Sequence, residues 1–228
     1  MRFSRITGIA AIGFAATIVG ANLIMVPAGL PLTGAPIDEV NAFYAANGGI
    51  VGLASAFTPA VWMLATLFGA GAVAVLWPPE RERGEAWSLV GFAGLLMQNL
   101  TFTGIIATRL ALARTAPDGT AALWALHDGF FTLNGTFLAI ALVGLSVAGL
   151  RTGFIRPWHG TLGFLAAALQ FTSATLAHLV MRSEGPLGLI GLAGWLLWVV
   201  WIAVYGIALV RAQNSLISKT PMSSAEVP

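Results

Sequence analysis

Cysteine is absent from all 228 residues. That excludes disulfides, thiolate nucleophiles, Fe–S clusters and cysteine zinc sites. Charge is almost as scarce. Asp, Glu, Lys and Arg together make up 9% of the chain, against about 25% in an ordinary soluble domain. So few charges cannot cover a water-facing surface, and 57% of the residues are hydrophobic. Lipid is the solvent in which such side chains need no polar cover. The only lysine is Lys219, so no apolar stretch offers an amine for a Schiff base. A Gly-rich phosphate loop, a His-Glu metal motif on a helix and a paired-aspartate motif for a magnesium diphosphate are also missing. The formal net charge of +2 comes from basic residues scattered singly, with no run or patch that implies a nucleic-acid partner.

Six apolar segments are long enough to cross about 30 Å of hydrocarbon at 1.5 Å per residue. They run over residues 6–26, 51–76, 88–110, 130–150, 161–180 and 187–210. Lipid offers no partner to a free N–H or C=O, so each must be a helix. The expected fold is an all-α polytopic transmembrane bundle forming one domain over residues 1–212. A polar tail follows over 213–228, with the composition of a disordered segment. The first apolar run exceeds the ~7–15 residues of a signal-peptide core and reads as a span. Arg2, Arg5, Arg81, Arg83, Arg151, Arg156, Arg211 and Lys219 fall on one side, and Arg109, Arg114 and Arg182 on the other. This bias predicts both termini in the cytoplasm of a multi-pass protein of the cell membrane.

The longest loop lies on the opposite, external side, from Pro27 to Gly49. Pro36 suits a first helical position, and Asp38 and Glu39 complement the first-turn dipole. Ile37, Val40, Phe43 and Tyr44 form an apolar stripe, and Asn47-Gly48 can end a helix. The plainer reading is an amphipathic connector resting on the membrane; the functional reading is a lid over an outward-facing pocket. Gly13-Phe14, Gly91-Phe92 and Gly163-Phe164 recur at similar depths. Gln98 pairs with Gln170, Thr101 with Ser173, and Thr103 with Thr175, a pattern that fits duplicated two-helix hairpins.

Unusual residues collect near the external ends of three spans. Arg109 lies near the end of the third, His127 and Asp128 at the entry of the fourth, and His178 inside the end of the fifth. An ionisable group at membrane depth is costly and faces a partner or a wet cavity. The spacing predicts an Arg109–Asp128 ion pair and a polar wall from Gln98, Asn134 and Gln170. A histidine near its neutral point can both give and take a proton. His127, Asp128 and His178 are therefore the candidate catalytic groups, with His127 and His178 expected to face one cavity. The same two histidines are the only basis for a metal or haem, a weak one, so no metal site is assigned and the cofactor is left open. Arg109, Gln98, Asn134 and Gln170 are candidate ligand-binding residues. Trp198, Trp201 and Tyr205 of the last span join them, because their ring faces suit an apolar or cationic ligand. Lipid-facing bulk is the commoner role for such residues. His159 reads as an interface residue.

The six-span layout and Ala/Gly/Leu-rich texture resemble membrane proteins of high-GC, actinobacteria-like genomes, loosely and over the whole chain. The resemblance carries no functional residue. The expected function is binding, or binding and transforming, a small apolar or lipid-like molecule in a pocket open to the outer leaflet. The alternative is a transporter or a non-catalytic subunit of a membrane complex. The bilayer is the expected partner in every case.

Overall fold

The computed structural model describes residues 3–115, 117–182 and 185–217. The termini, including Arg2, Lys219 and most of the polar tail, lie outside the described residues. Every regular element among those described is a helix: α1 (Phe3–Met25), α2 (Ile37–Ala56), α3 (Thr58–Glu82), α4 (Trp87–Leu112), α5 (Pro117–Arg151), α6 (Pro157–Thr175), α7 (Ala177–Val180) and α8 (Gly188–Ile217). The chain is an all-α polytopic bundle. The last helix runs past the expected domain boundary at residue 212.

Five stretches are long and apolar enough to cross a membrane: Phe3–Met25, Ile37–Glu82, Trp87–Leu112, Asp118–Arg151 and Gly188–Ala212. The expected count of six is corrected at residues 161–180. There the helix stops at Thr175, and α7 adds only a single turn beyond Leu176. The 19 residues of α6 include Gln170, Thr172, Ser173 and Thr175, which dilute its apolar character. The helix is still a full member of the bundle. In packing order α1, α3, α4, α5, α6 and α8 form a closed ring, with α8 returning to α1.

Glycine lets neighbouring backbones in this ring touch. A Cβ built on Gly144 would lie 2.3 Å from the Gly91 amide nitrogen, and one on Gly8 would lie 2.6 Å from the Gly206 carbonyl oxygen. Small residues at such crossings replace the hydrophobic drive that is missing between helices in lipid. The ring is filled by Phe14, Phe68, Leu95, Leu142, Leu145, Trp198, Trp201, Ile202 and Tyr205. The equivalence suggested by the Gly-Phe pairs does not extend to environment. Phe14 is buried in this core, whereas Phe164 is exposed.

One end of the bundle is tied by Glu80, a fully buried carboxylate. Both of its oxygens accept from the Ser88 amide at 3.1 Å, and one also accepts from the Ser88 hydroxyl. The carboxylate of one helix thus satisfies a first-turn N–H of the next, where the macrodipole also welcomes negative charge. Glu85 in the same turn pairs with Arg151 at 2.8 Å and with Arg83 at 3.6 Å.

The other end carries the long loop and α2. Asp38 and Glu39 occupy the first turn of α2, as its sequence predicts. Asn47 does not end the helix. Its φ of −118° and ψ of 19° make a kink, after which the helix continues to Ala56. The Asn47 side chain donates to the Phe43 carbonyl at 3.0 Å and so closes the turn before the kink. Val40, Phe43 and Tyr44 are buried against Met25, Leu112 and Trp124, while Ile37 is exposed. The apolar stripe therefore faces the protein rather than resting on a membrane surface. The segment is a cover on this end of the bundle.

Candidate functional site

α5 is 35 residues long, about 50 Å at 1.5 Å per residue, some 20 Å more than the hydrocarbon thickness. Its N-terminal turns carry Trp124, His127 and Asp128 under the α2 cover. The three are buried, His127 at 3% and Asp128 at 2% exposure.

Arg109 reaches from the last turn of α4 and donates its Nε–H to His127 Nε2 at 3.1 Å. A guanidinium has no acceptor, so His127 Nε2 is unprotonated and receives that bond. The ring proton then sits on Nδ1, which lies 3.1 Å from Asp128 Oδ1 and donates to it. The result is a directed chain, Arg109 to His127 to Asp128, with a neutral imidazole between a cation and a carboxylate. The expected direct Arg109–Asp128 ion pair is replaced by this bridge: no ion pair joins the two among the described residues. His127 and Asp128 are adjacent on one helix, so a ring spanning the gap removes any need for the carboxylate to approach the guanidinium.

The bridge is held from all sides. Trp124 stacks on the His127 ring at 4.6 Å with an interplanar angle of 9°, and Phe131 lies on a parallel plane at 5.9 Å. These are i−3 and i+4 neighbours on one helix face. The second carboxylate oxygen, Asp128 Oδ2, accepts the Gly34 N–H at 2.8 Å. Gly34 has φ of 82°, a conformation that a side chain rarely tolerates, so the residue that docks the loop on Asp128 needs to be glycine. The Tyr44 ring packs edge-on to Trp124 at 6.4 Å, and its buried hydroxyl has no hydrogen-bond partner among the described residues.

Beside this chain lies a narrow cavity of about 70 Å³ between α1, α2, α3 and α4. Apolar residues such as Ile18, Met25, Val51, Ala54, Phe102 and Ile106 line most of it, with Thr17, Asn22, Ser55 and Thr58 among them. Arg109 lines it too, and is the only charged residue there. The Nε of Arg109 is committed to His127, whereas its two terminal nitrogens have no hydrogen-bond partner among the described residues. A larger groove of about 390 Å³ lies between α4, α5 and α6, but it holds no ionisable residue.

The other candidates are placed differently. His178 is exposed on α7, and no hydrogen bond or ring contact joins it to His127 among the described residues. Neither imidazole lines the 70 Å³ cavity or the 390 Å³ groove. Gln98, Asn134 and Gln170 are buried as their helical spacing predicts, but the cavity opens elsewhere. The Gln170 amide donates to the Gly191 carbonyl at 3.1 Å and joins α6 to α8, while Gln98 Oε1 and Asn134 Oδ1 have no partner among the described residues. Trp198, Trp201 and Tyr205 are 2%, 1% and 0% exposed. They pack edge-on or tilted against Phe14, Phe68 and Phe154, which makes them core rather than lipid-facing bulk. His159 is likewise no interface residue. It is 2% exposed, and its Nε2 lies 3.0 Å from the Trp201 carbonyl. Trp158 takes the exposed position beside it.

Among the described residues no group of three or more His, Asp or Glu is placed to hold a metal. Comparison with family models, with curated proteins and with solved structures finds no match to this chain. The geometry of the Arg109 cavity is therefore what a functional reading rests on.

Proposed function

We propose that this protein binds a small apolar or lipid-like molecule at the cavity between α1, α2, α3 and α4, taken from the outer leaflet of the cell membrane, with the 26–47 segment as its cover. The observation that carries this reading is the Arg109 side chain, which contributes the only charge on a mostly apolar-lined cavity and keeps its terminal donors unused among the described residues. An ordinary packing arginine in a dry helix bundle would spend those donors on neighbours, because unpaired ones are costly away from water. The cavity takes a headgroup and little more, so the rest of a longer molecule would run out between the helices into lipid. His127 and Asp128 stand behind Arg109 and do not line the cavity, which favours binding over transformation.

The orientation follows from the distribution of basic residues, which assigns the α2 end to the outside. The binding reading is tested by filling the cavity. Ala54→Trp places an indole in it, and Gly52→Trp places one a half-turn away where nothing lies within 4 Å of the glycine Cβ position. Lipid extraction and mass spectrometry of the purified proteins should find an amphiphile retained at near-stoichiometric level by the wild type and by Gly52→Trp, and lost from Ala54→Trp. Equal retention by all three would sink the proposal.

A further inference from the structure

Resting on that reading, we infer that the ligand is an amphiphile with an anionic head, a carboxylate or a phosphate, held by the terminal nitrogens of Arg109. The charge arrangement carries the argument. Arg109 is tied to His127 by Nε alone, so the guanidinium keeps four N–H donors in a planar fork, the geometry that meets a carboxylate or phosphate oxygen pair. A neutral head would satisfy fewer of them, and a cationic head would be repelled.

The residues behind Arg109 keep it available. Asp128 is the nearest acid on α5, but the imidazole stands between it and the guanidinium, and its second oxygen is taken by Gly34. Asp38 and Glu39, the acids of α2, are exposed, and the cavity lining contains no acid. Arg109 is thus oriented by a carboxylate without being capped by it. The Thr17 hydroxyl on this cavity already donates to the Gly13 carbonyl and the Asn22 amide to the Ile18 carbonyl, so the Ser55 and Thr58 hydroxyls and the second Asn22 N–H suit the remaining oxygens of a head, while Ile18, Val61, Phe57 and Phe102 suit the first carbons of the chain. A cavity of about 70 Å³ fits a compact acid better than a sugar or choline head.

The test uses four twelve-carbon amphiphiles that differ only in the head: dodecanoate, dodecyl phosphate, dodecanol and dodecyltrimethylammonium. Each is titrated into the full-length protein in a nonionic maltoside detergent, with the shift in melting temperature and the displacement of a fluorescent dodecanoate analogue as readouts. One or both anions should bind at least tenfold more tightly than dodecanol, and the cation weaker still. The ratio of dodecanoate to dodecyl phosphate then shows which acid is preferred. Arg109→Gln should level the anions with dodecanol, and Arg109→Lys should keep part of the difference. The wild-type ratios decide the matter even if either variant fails to fold. Equal binding of dodecanol and both anions would overturn the anionic-head inference and leave the binding proposal intact. No binding by any of the four above micelle partitioning would overturn both.

Discussion

Asp128→Ala should lower the unfolding free energy by about 3 kcal/mol, the scale for leaving a buried charge, here that of Arg109, without its counter-charge. The carboxylate accepts from His127 and from the Gly34 amide at once, so its loss leaves the buried imidazole and the half-buried Gly34 N–H without partners and frees the loop from α5. It also leaves Arg109 without the negative charge that the imidazole relays. Arg109→Ala alone should be destabilising for the mirror-image reason, because Asp128 then keeps its charge with no cation behind the ring. The double variant should cost less than the sum of the two by about 1–3 kcal/mol, the range seen within one network. The bridge predicts a further result that a direct ion pair does not. In a His127→Ala background the Arg109–Asp128 coupling should shrink below about 0.5 kcal/mol, the level of independent sites. Denaturant unfolding of the set in mixed micelles checks this. Additivity of the two single variants on the wild-type background would refute the relay.

A larger loss is expected from Gly144→Leu. The atoms that a Cβ at this position would meet are the Gly91 nitrogen at 2.3 Å, the Gly91 Cα at 2.6 Å and the Trp87 carbonyl oxygen at 2.8 Å, all of them backbone. A flexible side chain could swing away, but two helix backbones can only separate, and with them go the contacts along α4 and α5. Overpacking costs about 1–3 kcal/mol where neighbours can adjust, so this substitution should exceed about 3 kcal/mol and prevent recovery of folded protein. Gly52 is the control. Nothing lies within 4 Å of its Cβ position, and it is helical, so Gly52→Ala should stabilise by about 0.5–1 kcal/mol through helix propensity. Comparable melting temperatures for Gly144→Leu and wild type would show that α4 and α5 do not cross where they are placed.

The architecture was legible because lipid simplifies the problem. Long apolar runs have one solution, and their ends are marked by arginine and turn residues. The failure at α6 is instructive. Residues 161–180 contain enough apolar side chains for a span, yet Thr172, Ser173 and Thr175 cluster in the last turn, and the helix stops before His178. Placing His178 on the inner wall required a continuous helix that the chain does not form. The convergence of Arg109, His127 and Asp128 could be anticipated, since a buried acid at the entry of a span needs a partner. Its order could not. Whether a ring stands between two charges depends on rotamers, and Gly34 lies 94 residues away from its carboxylate partner. The location of the cavity was also hidden. Polar stripes on α4, α5 and α6 drew attention to their mutual interface, whereas Gln170 joins α6 to α8 and the opening lies across α4 on the α1–α3 side. Trp198, Trp201 and Tyr205 show the same limit, because composition alone does not say whether an aromatic face meets lipid or fills a ring of six helices.

Occupancy of the Arg109 cavity from the outer leaflet is the claim on which the functional account stands. It is measured most directly with a membrane-impermeant photoactivatable lysophosphatidic acid, carrying a diazirine on the first carbons of its chain and added to the outside of intact cells. After irradiation, peptide mass spectrometry should find the label on residues of α1, α2, α3 and α4 that line the cavity, such as Asn22, Phe57, Phe102 and Ile106, and excess unlabelled dodecyl phosphate should suppress it. Label spread evenly over the lipid-facing surface, or concentrated on the Val90, Ile140 and Phe164 groove and indifferent to competitor, would contradict the account.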